Sequence, residues 1–137
     1  MTEYFLDLSP LQRAIDRLDE GWQRYQHDIT DAQIRDGLIQ RFEFTYEISH
    51  KMLKRFLETT AASADAYDQM SFADLIRSGN EHGLLLGTWS DWKRYRDMRS
   101  KTSHTHDEDV ALEVVAGIAA FITEARFFMA QLTARQS

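Results

Sequence analysis

With 137 residues the chain is long enough for one domain with a real core, read here as residues 1–137, and too short for two comfortable ones. Hydrophobic residues make up 43%, which excludes a disordered chain, and Pro 1 with Gly 6 leaves little turn punctuation for a many-stranded sandwich. Cys 0 removes disulfides, thiolate catalysis and cysteine metal sites and suits a reducing cytoplasm, while a formal charge of −6 argues against nucleic-acid binding without deciding local potential.

The first residues, Met1-Thr2-Glu3-Tyr4, show no basic region followed by an apolar run, so no secretory signal is expected. No stretch approaches the roughly 20 apolar residues that cross a bilayer, so no membrane is implicated. Ser9-Pro10-Leu11-Gln12 reads as a helix start, with Ser9 as cap and Gln12 completing a capping box. Leu11, Ala14, Ile15, Leu18, Trp22 and Tyr25 then follow at helical spacing, to about Gln26. Asp28 or Thr30 is expected to cap a second helix, from about Asp31 to Leu57, whose stripe runs Ile34, Leu38, Phe42, Thr45, Ser49, Met52, Phe56. At ~1.5 Å per residue it is roughly 40 Å long, a main pillar of a bundle. Phe44 and Ile48 project away from that stripe, beside Arg41, Lys51 and Arg55, and suggest a second packing surface for another helix or a partner subunit.

Residues 59–70 are small and polar and read as a linker. Ser71 caps a short helix carrying Phe72, Leu75 and Ile76, which is expected to stop near Gly79-Asn80. Residues 81–87 read as a loop. Trp89, Trp92 and Tyr95 open a further helix that runs into a basic block, and Asp107 caps a last helix with a broad apolar face from Val110 to Leu132. The pattern predicts an all-α fold, an antiparallel four-helix up-and-down bundle with one short extra helix.

The basic block is the chemical feature. Lys93, Arg94, Arg96, Arg99 and Lys101 are followed by His104 and His106, then by Asp107-Glu108-Asp109, where the sign reverses. The bland reading is a solvated helix face before an acidic helix start. The sharper reading pairs Arg99 with His104: a planar guanidinium can hold a phosphate, and an imidazole can move protons near neutral pH. Together they are a minimal set for cutting RNA without a metal. Within an unbroken helix, five positions is about 500°, so the two side chains would point roughly 140° apart. Convergence needs the helix to end between them, or a second copy brought in by a symmetric dimer. An Arg-x4-His spacing is common and decides little by itself.

His104-Thr105-His106-Asp107 invites a metal reading, but two histidines at i, i+2 face apart on a helix and no third ligand is set by spacing. Glu43, Glu47, His50 and Lys54 share a polar stripe on the second helix. They read most simply as pairs within that helix, and alternatively Glu43 or Glu47 orients Arg99. Phosphate loops, Ser/His/Asp signatures and dinucleotide fingerprints are absent, and no cofactor is implied.

Two segments carry a family likeness. Ile39-Gln40-Arg41-Phe42-Glu43-Phe44-Thr45-Tyr46-Glu47, continuing to Lys51-Met52-Leu53-Lys54, resembles the second-helix signature of the nucleotidyltransferase substrate-binding protein family, part of the HEPN superfamily (higher eukaryotes and prokaryotes nucleotide-binding). Trp92, Arg99 and Ser103-His104-Thr105 resemble its second signature, a Trp seven residues before Arg-Asn-x-x-Ser-His-Thr-Tyr-Asp. The resemblance implies a four-helix bundle that forms a homodimer and pairs with a separate minimal nucleotidyltransferase, in many cases as toxin and antitoxin. It also implies a metal-independent ribonuclease with Arg99 and His104 as the catalytic pair in a composite cleft, acting on RNA or a nucleotide. Arg96, Ser100, Lys101 and His106 are the candidate substrate-binding residues around them. Two positions depart from the signature. Ser100 stands where the family has Asn, and His106 stands where some members carry the Tyr that the partner modifies with AMP, so no phenolic hydroxyl is offered there. Neither Tyr46 nor Tyr95 stands at a spacing that would replace it. The older family label suggests the other reading, a non-catalytic subunit that binds a substrate or nucleotide.

Overall fold

The computed structural model describes residues 6–136, so residues 1–4, read above for a signal, lie outside it. Among the described residues every regular element is helical: α1 (Ser9–His27), α2 (Ala32–Thr60), α3 (Phe72–Glu81), α4 (Trp89–Lys101), α5 (Glu108–Ala116) and α6 (Ile118–Gln136), with 3₁₀ turns at Ala64–Tyr67 and Thr102–His104. The antiparallel bundle with one short extra helix is the observed fold. α1 packs along α2 and against α6, while α2 also meets α4 and α5. No helix of the described residues is long and apolar enough to cross a membrane.

Caps follow local side-chain chemistry, with two corrections. The Asp31 carboxylate, and neither Asp28 nor Thr30, caps α2 by accepting from the Gln33 and Ile34 amides at 2.9 and 3.1 Å. Asp28 instead closes the preceding turn on Thr30. Ser9 is already inside α1: Leu8 holds the cap position, Asp7 accepts from the Ser9 amide at 3.0 Å, and Gln12 reaches forward to Asp16. Ser71 and Asp107 cap α3 and α5 as their sequence positions predict.

Three boundaries moved. α2 runs to Thr60, and the predicted linker folds its 3₁₀ turn so that the buried Tyr67 hydroxyl meets the Ser78 hydroxyl at 2.9 Å. α3 passes through Gly79, whose missing side chain leaves room for Leu85, and ends only before Gly83, whose φ is positive (71°). The last predicted helix is two. It breaks at Gly117, where a Cβ would sit 2.4 Å from Met98 Sδ of α4. That close approach, invisible in the pattern of α5 and α6 alone, is tertiary.

The core is aromatic where it underlies α2 and α4. Phe42 and Phe121 meet edge to face at 5.0 Å, Tyr95 lies 5.2 Å from Phe121, and Trp92 lies 5.4 Å from Tyr95. Trp92 is only 1% exposed, which pins α4 against α2 and α6 and so sets the height of Arg99, two turns further along.

Candidate functional site

Arg99 stands in the last turn of α4, facing α2. Its Nε donates to Glu47 Oε1 at 3.0 Å, Nη2 donates to the same oxygen, and Nη2 lies 3.5 Å from Glu43 Oε1. The Glu47 hydrogen bonds raise the Arg99 pKa further above its ordinary value, so the charge is permanent. Nη1 has the weakest partner, Thr102 Oγ1 at 3.5 Å, and is the edge of the guanidinium left for an anion. Thr102 is fixed in turn by donating to the Arg99 carbonyl at 2.8 Å. The polar stripe of α2 therefore serves α4: Glu43 and Glu47 meet across the bundle on Arg99.

α4 ends at Lys101, and the next residues form the 3₁₀ turn Thr102–His104. The helix thus stops between Arg99 and His104, the condition set by the 140° argument. His104 is exposed on that turn, its ring centroid 6.4 Å from that of His106. The remaining candidates separate. Ser100 is exposed and returns its hydroxyl to the Arg96 carbonyl at 3.1 Å. Arg96 lies with its guanidinium carbon 5.3 Å from the Phe72 ring centroid, one turn from Arg99. Lys101 faces elsewhere, about 200° around the helix from Arg99, and pairs with Glu113 of α5 at 2.8 Å. The metal reading finds no support: Asp107 is occupied as the α5 cap, and among the described residues no three His, Cys, Asp or Glu side chains group to hold an ion.

Beside the Arg99 cluster lies a second, aromatic one. Tyr46 of α2 is buried and its phenol is pushed up to about 12 by desolvation, so it stays neutral. His50, one turn on, meets the edge of Phe72 at 4.9 Å. Desolvation lowers its pKa, and the Arg96 and Lys54 charges add to that effect. Both effects favour the neutral imidazole over the charged one.

Glu124 escaped the sequence reading. It is 1% exposed, and its carboxylate accepts from the Leu86 and Gly87 amides at 2.8 and 2.7 Å, clamping the loop that leads into α4. Burial raises its pKa against the effect of those hydrogen bonds. The available signal was a single acid inside the apolar run Phe121-Ile122-Thr123-Glu124-Ala125.

A helical bundle with a carboxylate-held arginine and an exposed turn histidine agrees with the HEPN resemblance, and the comparisons with known proteins establish the class. The family described as "Nucleotidyltransferase substrate binding protein like" matches residues 6–134, and the chain belongs to it. A Haemophilus influenzae protein named "Probable ribonuclease HepT" is 40% identical over 124 residues, covering 90% of this chain and 84% of that protein. A solved Haemophilus influenzae structure, titled as revealing the fold of a substrate binding domain of a nucleotidyltransferase, superposes with a TM-score of 0.86 at 36% identity, over 93% of this chain and 99% of that one.

Proposed function

We propose that this chain is the HEPN subunit of a two-component system. It forms a homodimer, pairs with a separate minimal nucleotidyltransferase, and is the toxin half of the pair, a metal-independent endoribonuclease. The observation that carries this reading is the end of α4 between Arg99 and His104, which presents a clamped guanidinium and an exposed imidazole at the same end of one helix. The name of the Haemophilus influenzae relative supports it.

In the proposed reaction Arg99 Nη1 binds a non-bridging oxygen of the scissile phosphate and stabilises the charge that develops there. His104 takes the proton of the ribose 2′-hydroxyl. The 2′-oxygen then bonds to phosphorus and the P–O5′ bond breaks, leaving a 2′,3′-cyclic phosphate. The 5′-oxygen takes a proton from the second copy's imidazole or from water. Arg96, one turn before Arg99, and Ser100 and His106, beside the pair in the chain, are the residues proposed to bind substrate, and Lys101 joins them only by leaving Glu113.

A second reading, a non-catalytic substrate- or nucleotide-binding subunit, draws on the two carboxylates already at Arg99. RNA cleavage in EDTA separates the two. The purified chain is expected to leave 2′,3′-cyclic ends, and His104→Ala to abolish them. Equal cleavage by the variant, or none by the parent above a mock preparation, removes the ribonuclease reading.

A further inference from the structure

The surface flanking the proposed site on α1 and α2 has no role in the chemistry above. Phe44 is 59% exposed, unusual for a large aromatic residue. It sits where two hollows meet, and both are lined by Pro10 and Phe44. One continues along α2 past Glu47, Ile48, Lys51 and Arg55. The other runs across to α1 past Arg13, Arg17 and Arg41.

The charges on this surface are uneven. Five cations line the two hollows, and the acids among the lining residues are Asp7 and Glu47, of which Glu47 is held by Arg99. Among the described residues Arg13, Arg17, Lys51 and Arg55 form no ion pair, and all four are exposed. Arg41 is fixed across the seam, donating to the Arg17 carbonyl at 2.8 Å. In a chain of net charge −6 such a strip has a self-energy cost that a polyanion removes. A second copy docked here by a two-fold axis would bring this cation-rich strip against an identical cation-rich strip, which like-charge repulsion opposes.

We propose that this groove is a track for a single-stranded nucleic acid. Phe44 stacks on a base, and Arg13, Arg17, Lys51 and Arg55 contact the phosphates on either side. Arg41, Phe44, Ile48, Lys51 and Arg55 recur every three or four residues, so they share one face over roughly 20 Å of helix, enough for several nucleotides. Glu47 joins the track to the site, since the same side chain lines the groove and grips Arg99. That the strand leads to a cleaved phosphate rests on the ribonuclease reading, whereas its binding in the groove does not.

The test is fluorescence anisotropy of a labelled single-stranded oligouridylate in EDTA, on the full chain carrying His104→Ala so that the probe survives. Adding Phe44→Ala is expected to weaken binding about tenfold, and Phe44→Tyr to leave it within about twofold, because stacking needs a π face. Lys51→Ala with Arg55→Ala should make the slope of log affinity against log salt shallower by about 1.4. Unchanged binding in either the Phe44→Ala or the double variant, or no binding by the parent, overturns the track. So does a loss of binding that accompanies a change of oligomeric mass in light scattering, which would assign the face to a subunit contact. Cleavage that needs His104 while the groove variants bind normally sinks the track alone. Groove-dependent binding without any cleavage sinks the ribonuclease reading alone.

Discussion

Glu47 and Arg99 lie 52 residues apart and meet on one oxygen, Oε1, which accepts from Nε at 3.0 Å and also from Nη2. A guanidinium gripped along its Nε–Nη2 edge cannot rotate freely, and its remaining donors then have one direction. On the proposed ribonuclease reading Glu47 is therefore a positioning residue, and its removal should move the Arg99 edge proposed to bind phosphate without unfolding the bundle. Glu47→Gln is expected to lower the single-turnover cleavage rate by about 10–100-fold, since misplacement by an ångström costs that much. Stability should change by less than about 1 kcal/mol, because both partners reach solvent. A rate equal to the parent's, measured with the melting temperature unchanged, would remove the positioning role.

The buried Glu124 serves the same helix from its other end. Its two oxygens accept the Leu86 and Gly87 amides, and a Cβ on Gly87 would lie 2.7 Å from Oε1. Glu124→Gln replaces one acceptor with an NH₂ that faces an N–H donor, leaving a buried donor unmatched. A loss of about 1–3 kcal/mol in urea unfolding is expected. Gly87→Ala should cost a similar amount by pushing the carboxylate off the loop. Native stability in both variants would show that the clamp is idle.

These residues also mark where sequence reading stops. Ser71 and Asp107 were visible as caps because a cap is chemistry between a side chain and amides two or three residues away, whereas Asp31 was passed over for Asp28 or Thr30 because three capping side chains crowd one turn. The buried stripe of α2 from Leu38 to Phe56 was visible because one helical face has one period. The Arg99–Glu47 contact was only one of two options for the α2 carboxylates, since pairing within α2 satisfies the same spacing rules and only the packing of α4 on α2 decides between them. Gly117 was not visible as a break, because α5 and α6 continue one apolar pattern across it and the reason for glycine is Met98, 19 positions earlier on another helix.

That last contact is open to a double-mutant cycle. A Cβ at position 117 would lie 2.4 Å from Met98 Sδ and 2.7 Å from Cε, and Met98 is 5% exposed, with little room to withdraw. Gly117→Ala alone is expected to cost about 1–3 kcal/mol by overpacking. With Met98→Ala in the background the added methyl should cost less, giving a favourable coupling of at least about 0.5 kcal/mol. Strict additivity of the two changes in urea unfolding would show that the helix breaks for some reason other than this approach.

His50 ties stability to pH. Desolvation, then Arg96 and Lys54, place its native pKa below the ordinary 6.5. As pH falls through 6.5 the unfolded chain takes the proton first, so the native state loses stability on acidification, until pH drops below the native pKa as well. The loss from one such group cannot exceed about 1.4 kcal/mol per pH unit. His50→Phe keeps a ring against Phe72 and removes the titration, so its stability should fall less than the parent's between about pH 7 and pH 5.5. Urea unfolding of both proteins across that range measures the difference, and the His50 ring proton resonances report the native pKa directly. An imidazole that titrates at or above 6.5 in the folded chain would contradict the desolvated setting between Tyr46, Phe72 and Arg96.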